Sequence, residues 1–557
     1  MKIIAESAFN HNGSFEYLLE LAQAAKISGA DYFTVQLMNV DAFCIKDSER
    51  YSLSKKTEIA KEQWIKLFQY CEKIDLNLIP CVLEENSFDL AYNYGFRLIK
   101  IHATDITNEP FLKYMTSKRD VKFLLETQCA TLFEIKYALN ILGKDNIEAL
   151  FTGYSNYPSE VEELNLNVLD YLKKEFNLKI GFADHSLDVQ NIPLMVLAKG
   201  ADYIEKHITL TRNNRNYDWQ VSLYPHEFAS MVNAIKHYTI ALGNGIKHPT
   251  EHEKPFRKVL YKKMIPNEPT LKRANEGVTF LENKIAQFKK EKVVVALIAR
   301  LKSQRLKQKV LLPFCENEMV VDLYKRISTT KGLDSVVLAT SDLREDDVLA
   351  NRLEQLGLET YRGDAVSVID RMLGLAFEKE AGAIFRVTGD NPFTDPCIME
   401  KMIELMLEYD LDCVKVNNVP IGIGSELFST QYLWNLYLKM KNPMLSEYLS
   451  WFVLNDKDVR IGSVDLEYKK SLKGINLSVD YLEDYKRCKN ILNRVDIKNF
   501  TAISLKDVLE NIPNEELETI DLNQLIKLPE GVTMKVIDYL DQYEKRDYIV
   551  RYKYIIS

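Results

Sequence analysis

No histidine follows His252: the eight histidines of this 557-residue chain all lie between His11 and His252. The remainder has no imidazole for metal binding or acid–base work and must rely on carboxylates, Lys, Arg and bound ions. Cysteine is also thin. The eight cysteines, at 44, 71, 81, 129, 315, 397, 413 and 488, form no CxxC pair. This speaks against a disulfide frame or a cysteine zinc site and reads as reduced, mostly buried thiols, so a cytoplasmic protein is expected. No apolar run approaches the ~18–20 residues of a membrane span. The opening MKIIAESAF turns polar too soon for a signal peptide and reads as a first β-strand. A net charge of −8 argues against a general polyanion-binding surface, so nucleic acid is not an expected partner.

What is there is an ordinary globular composition, 46% hydrophobic and 27% charged, in a chain too long for one core. Residues 1–245 alternate short apolar runs with amphipathic segments. The runs at 3–8, 31–37, 76–82, 97–103, 122–128, 147–153, 179–185 and 203–209 predict eight strands, each followed by a helix. That is an α/β chain opening with a (β/α)8 TIM barrel of the usual ~250 residues. Residues 246–292 are charged and predict a linker with one or two helices. Residues 293–515 restart a βα pattern and predict a three-layer α/β nucleotidyltransferase-like (GT-A-like) domain with mixed strands. Residues 516–557 read as a helical extension.

In such a barrel, functional side chains sit at the C-terminal ends of strands. Glu6, Lys100, Asp105, Tyr157, His185 and His207 fall there. In YIEKHIT (203–209), alternation puts Tyr203, Glu205 and His207 on one face and Ile204, Lys206 and Ile208 on the other. Burying Glu and His on one face is costly unless they bind something. Two imidazoles with nearby carboxylates suit a divalent ion; two unrelated hydrogen-bonded core histidines are the alternative. In the second half, RVTGDNPFTDP (386–396) and LSVDYLED (477–484) put Asp390 and Asp480 at strand ends. Each could ligate Mg2+, with Gly389 letting backbone approach a ligand, or be a turn aspartate or helix cap.

IIAESAFNHNG (3–13), IKIHATDITN (99–108), YSNYP (154–158), GFADHS (181–186) and EKHIT (205–209) resemble, in order, the motifs of sialic acid synthases. That family condenses phosphoenolpyruvate (PEP) with an N-acylated hexosamine, using a metal held by two histidines. The resemblance makes His185 and His207 ligands of Mn2+ or Mg2+. It places Glu6 and Glu205 at catalytic positions, Asp105, Tyr157 and Asp218 near the sugar, and Lys100 against PEP. The chain departs from the family at four motifs: Thr34 replaces a lysine, Ala103 and Asp105 replace a serine and a glutamate, Glu126-Thr127-Gln128 replaces a Ser-Thr-Gly turn, and Ala183 replaces a serine. Three of these help hold the phosphate, and a carboxylate at 126 would repel it. The family's antifreeze-like domain has no counterpart after the barrel, and barrels of the family dimerise partly through it, which leaves a homodimer open. Three readings follow: PEP bound through other residues, another donor or reaction, or a binding scaffold.

ARLKSQRLKQKVL (299–311), YRGDAVSVIDR (361–371), RVTGDNPFTDP, GIGSELF (422–428) and SVDYLED resemble, in order, the spore-coat-polysaccharide type of cytidylyltransferase, relatives of CMP-sialic acid synthetases. By this resemblance Asp390 and Asp480 hold Mg2+ and are catalytic, Arg300, Arg305 and Lys309 face the triphosphate of CTP, and Glu426 meets substrate. Lys302, Lys307 and Gln308 replace loop glycine and proline, keeping charge but not close backbone contact. The two resemblances together imply a bifunctional enzyme that makes a nonulosonate and activates it as a CMP-sugar. The alternative is a cytidylyltransferase fused to a barrel that no longer uses PEP.

Overall fold

The computed structural model describes residues 1–265, 270–274, 276–302, 305–469, 472, 474–495, 499–512 and 520–556. The chain divides into two compact units, Met1–Gly245 and Ile246–Ser557. Among the described residues, no helix is long and apolar enough to cross a membrane.

The first unit is the expected barrel. Strands β1 (Lys2–Glu6), β2 (Tyr32–Leu37), β3 (Asn77–Val82), β4 (Leu98–Ile101), β5 (Lys122–Glu126), β6 (Ile147–Gly153), β7 (Lys179–Ala183) and β8 (Tyr203–His207) close in sequence order. Alternation explains what fills it. Ile3, Ala5, Ile99 and Ile101 pack outward in the large core shared with the helices. Ile4, Ile79, Leu124, Ala149, Phe151 and Tyr203 form a small apolar layer of their own. Glu6, Lys100, Glu126, Glu205 and His207 follow toward the C-terminal ends of the same strands. Parallel pairing of β1 with β8 sets Glu6 beside His207. Gly181 is required by space: a Cβ there would lie 2.5 Å from the Phe151 ring.

In the second unit, residues 246–292 hold two short helices, Lys254–Leu260 and Phe280–Ala286, and a two-stranded sheet of β9 (Lys262–Lys263) and β10 (Lys272–Arg273). The main sheet contains β11 (Val293–Ile298), β12 (Ser335–Ser341), β13 (Thr360–Gly363), β14 (Ala383–Thr388), β15 (Cys413–Asn417), β16 (Glu426–Ser429) and β17 (Ile461–Glu467). Its order is 13-12-11-14-16-15-17, and β16 runs antiparallel to both neighbours. The order reverses between β11 and β14, and ligands of open α/β sheets bind at the strand C-termini of such a switch point.

The last residues are not the helical extension expected from sequence. They form a hairpin of β18 (Leu525–Lys527) and β19 (Thr533–Lys535), a helix Val536–Lys545, and β20 (Val550–Ile555), which pairs parallel with β17 as the eighth strand of the main sheet. The run VRYKYI, rich in β-branched and aromatic residues, has the composition of a strand.

Candidate active sites

At the barrel mouth, Lys100 meets three carboxylates: Glu6 at 2.9 Å, Glu126 at 2.7 Å and Glu205 at 2.6 Å. Oxygens of the three glutamates lie within 4.8 Å of one another. Lys100 is fully buried, and burial opposes its charge, but the glutamates hold its pKa well above the ordinary value. Burial alone would raise the Glu6 carboxyl; Lys100, a hydrogen bond with Glu205 and His207 bring it well below the usual range. Burial and the Glu6 charge push the Glu205 carboxyl well above the usual range. Gln36, which the motifs did not single out, donates to the other Glu6 oxygen at 2.9 Å.

Next to this cluster stand His185 and His207, ring centroids 5.2 Å apart. The Nδ1 of His185 is 2.6 Å from the Tyr154 carbonyl, which fixes the proton there and leaves Nε2 as acceptor. Burial lowers the His185 pKa and brings His207 down to about 3, so both rings are neutral near pH 7. Asp218 lies 3.7 Å from His207 Nδ1, and burial raises it to about 6. The Tyr157 ring stacks on His185 at 4.5 Å. Two neutral imidazoles beside a carboxylate fit a divalent ion. Four buried polar atoms at or just after the strand ends also have no hydrogen-bond partner: Thr34 Oγ1, Gln128 Oε1, Glu205 Oε2 and His207 Nδ1. Such atoms ask for a polar ligand or ordered water. Asp105 stands apart, tied into its own turn by Asn108 at 2.7 Å and Thr104 at 3.2 Å.

Lys206 was placed by alternation on the opposite face of β8 from His207. It is fully buried and pairs with Asp184 at 2.7 Å while donating to the carbonyls of Ser186 and Asp188. It therefore pins the loop that carries His185. A lysine between two isoleucines in YIEKHIT was the available signal.

In the second unit, one cavity of about 430 Å³ lies at the switch point. Six cations line it, Arg300, Lys302, Arg305, Lys309, Arg371 and Arg386, against three carboxylates, Asp390, Glu447 and Asp480. Lys309 bridges the two motif aspartates, at 2.7 Å from Asp390 and 2.8 Å from Asp480. Burial opposes the charge of Lys309, but both aspartates raise its pKa. Arg305 is 3.3 Å from Asp480. Val479 N donates to the Asp390 carbonyl at 2.9 Å, so backbone ties the two aspartate loops together. Gly422 (φ +95°) packs against Ser478, where a Cβ would lie 2.2 Å from a backbone nitrogen. Gly389 serves packing between strands: a Cβ there would meet the Ala299 Cβ at 2.8 Å. Arg300 donates to the Ala365 carbonyl. Arg371, to which the motifs gave no role, is buried, and burial with the Arg300 charge lowers its pKa to about 10. A surplus of three positive charges around two adjacent aspartates suits a polyphosphate with a divalent ion. Ser303 and Gln304 of the basic loop lie outside the described residues.

Glu426 lies in a neighbouring cavity, 3.2 Å from Arg386 and 3.0 Å from Lys415. Burial would raise its carboxyl, but Arg386 and Lys415 bring it down to about 2.

A barrel with a histidine pair at its mouth, followed by a nucleotidyltransferase-like sheet with paired aspartates, defines a two-part transferase. The comparisons with known proteins agree: residues 21–247 match the NeuB family and residues 294–520 match a cytidylyltransferase family. The chain belongs to the NeuB family in its first half and carries a cytidylyltransferase region in its second. An uncharacterized protein of Methanocaldococcus jannaschii is 35% identical over 254 residues, 45% of this chain and 75% of that protein. The N,N'-diacetyllegionaminic acid synthase of Campylobacter jejuni is 30% identical over 282 residues, 47% of this chain and 84% of that enzyme. The solved N-acetylneuraminic acid synthetase of Leptospira borgpetersenii is 27% identical, covering 46% of this chain and 90% of its own, with a TM-score of 0.44.

Proposed function

We propose that the chain acts in nonulosonate biosynthesis, with its second unit transferring a cytidylyl group from CTP to a sugar-acid hydroxyl and releasing pyrophosphate. The observation that carries this reading is the cation-rich cavity around Asp390 and Asp480. These aspartates would hold Mg2+, which when bound neutralises phosphate charge. Arg300, Arg305 and Lys309 bind the triphosphate and orient the α-phosphate for in-line attack. On CTP binding, Lys309 exchanges the aspartates for phosphate oxygens. This chemistry needs positioning and charge neutralisation, so the absence of histidine after His252 is no obstacle. The test is pyrophosphate release from CTP with a panel of nonulosonic acids; release that survives Asp390→Ala would overturn the site assignment.

For the barrel, one observation favours the reading without PEP. Lys100 is enclosed by three glutamates, and Thr34, Ala103 and Ala183 bring no charge to the positions from which the family holds phosphate. A trianionic ligand there would face a net negative mouth. The His185–His207 pair and Asp218 instead support metal-dependent binding or modification of a sugar, with Glu205 as a proton donor and Tyr157 as a stacking surface. Phosphate release from PEP with a panel of N-acylhexosamines and Mn2+ or Mg2+ decides: turnover would restore PEP-dependent condensation. Absence of metal in the purified protein would instead point to a scaffold.

A further inference from the structure

The Lys309 ammonium takes the very oxygens that a divalent ion needs. It bridges Asp390 at 2.7 Å and Asp480 at 2.8 Å, and Arg305 adds a second cation 3.3 Å from Asp480. Two carboxylates thus already face two cations. The backbone beneath the bridge is fixed. Lys309 opens a short 3-10 helix, Lys309–Leu311, after Gln308 in the left-handed region (φ +51°). The next residue, Val310, is buried, with its Cγ1 3.4 Å from where a Cβ on Gly389 would stand, directly before Asp390. The Asp390 carbonyl accepts from Val479 N, and Asp480 N donates to Asp484 at 3.1 Å. Opening the bridge therefore needs only rotation of the Lys309 stem, a flexible four-carbon chain.

Charge decides when the stem rotates. The cavity around the bridge is lined by six cations against three carboxylates. A divalent ion arriving alone adds to that surplus and must also displace an ammonium from both of its partners. Repulsion between a dication and an ammonium about 4 Å apart lowers affinity by about tenfold or more even in a water-like dielectric. A nucleoside triphosphate reverses the sign. Its oxygens offer Lys309 and Arg305 new anionic partners and release the two carboxylates.

We propose that Lys309 is a latch on the Asp390–Asp480 pair, closing it to divalent ions until a nucleoside triphosphate draws the ammonium away. The carboxylates then become available to a metal only with the nucleotide or after it. The inference rests on the cytidylyl-transfer reading above and adds the order in which the site fills and the residue that imposes it.

The test uses the full chain carrying His207→Ala, which takes one imidazole from the barrel pair, and Mn2+ alone as the probe. Binding without nucleotide is read from the electron paramagnetic resonance signal of the free ion. With Lys309 in place, Mn2+ binds weakly; Lys309→Met and Lys309→Gln each bind one Mn2+ about tenfold or more tightly. Adding Asp390→Asn to Lys309→Met abolishes that gain. Arg305→Met shifts the affinity by less than about threefold, because the Arg305–Asp480 pair is exposed. Equal affinity with and without the lysine overturns the latch, as does a gain that survives Asp390→Asn. A gain in Arg305→Met as large as in Lys309→Met also overturns it, because overall cavity charge rather than the bridge then sets access. Pyrophosphate release from CTP by wild type is followed separately. The gain without release supports the latch and overturns the transfer reading; release without the gain does the reverse. Neither gain nor release overturns both.

Discussion

Glu126 holds Lys100 at 2.7 Å, and the lysine is fully buried. The contact joins the end of β5 to the interior of β4, and it converts a cation expected to face PEP into an internal counter-ion for three glutamates. Replacing Lys100 by Met leaves those carboxylates without a cation in a buried site, which costs about 3–5 kcal/mol. Urea unfolding near pH 7 measures it. Adding Glu126→Leu recovers part of the loss, because one uncompensated charge is removed. If Lys100→Met proves neutral, the lysine is not the counter-ion of this cluster.

The Lys206–Asp184 pair gives a second prediction. Both side chains are fully buried at 2.7 Å, and Lys206 also binds the carbonyls on either side of Leu187. Lys206→Met frees the loop carrying His185 without touching either imidazole. Metal affinity then falls by about 10–100-fold, the usual cost of losing an outer-shell support. His207→Ala, by contrast, abolishes stoichiometric metal. Titration with Mn2+ separates the two effects, and equal affinity in Lys206→Met and wild type would remove Lys206 from the site's support.

How far this was legible in the sequence depends on the range of each contact. The β8 alternation was enough to put Glu205 and His207 on one face, because a two-residue period is local. The partners that decide the chemistry are remote: Lys100 meets Glu6 across 94 positions and Glu205 across 105. Only strand closure brings them together, so a lysine at a PEP-like position gave no hint of its enclosure, although Glu126 stood out as a foreign charge. Lys206 was seen as pointing away from the histidines, and its role needed the loop after β7 to fold back. The last strand was missed because Val550–Ile555 is short and at a sheet edge, with mostly exposed side chains. Its pairing with β17 is settled by the sheet, not by local propensity.

A third prediction concerns Asp390. Its carboxylate and that of Asp480 are both within 2.8 Å of Lys309. Asp390→Asn keeps the shape but removes a charge from the Mg2+ position, lowering the rate of pyrophosphate release by about 10²–10³, the range for one lost electrostatic contact in a transition state. Lys309→Ala acts differently, raising the KM for CTP because the phosphate loses a cation. Steady-state kinetics with CTP as the varied substrate distinguishes them; a Lys309→Ala enzyme with unchanged KM would exclude the lysine from triphosphate binding.

Glu426 gives the pH prediction. Burial opposes its ionisation, but Arg386 and Lys415 bring the folded carboxyl from its ordinary value of 4.5 down to about 2. A folded pKa below the unfolded one means the unfolded chain binds the proton more readily in this range, so stability falls as pH falls. The contribution of Glu426 is complete above about pH 4.5 and is lost progressively toward pH 2. At roughly 1.4 kcal/mol per unit it amounts to about 3 kcal/mol. Glu426→Gln therefore destabilises the second unit by about that amount at pH 7, since Arg386 and Lys415 lose their shared anion. The gap between wild type and variant narrows below pH 4.5 and closes near pH 2. Unfolding by denaturant at pH 7, 5, 4 and 3 follows the difference. A gap that stays constant across this range would show that the carboxylate's charge is not what stabilises the Arg386–Lys415 pair.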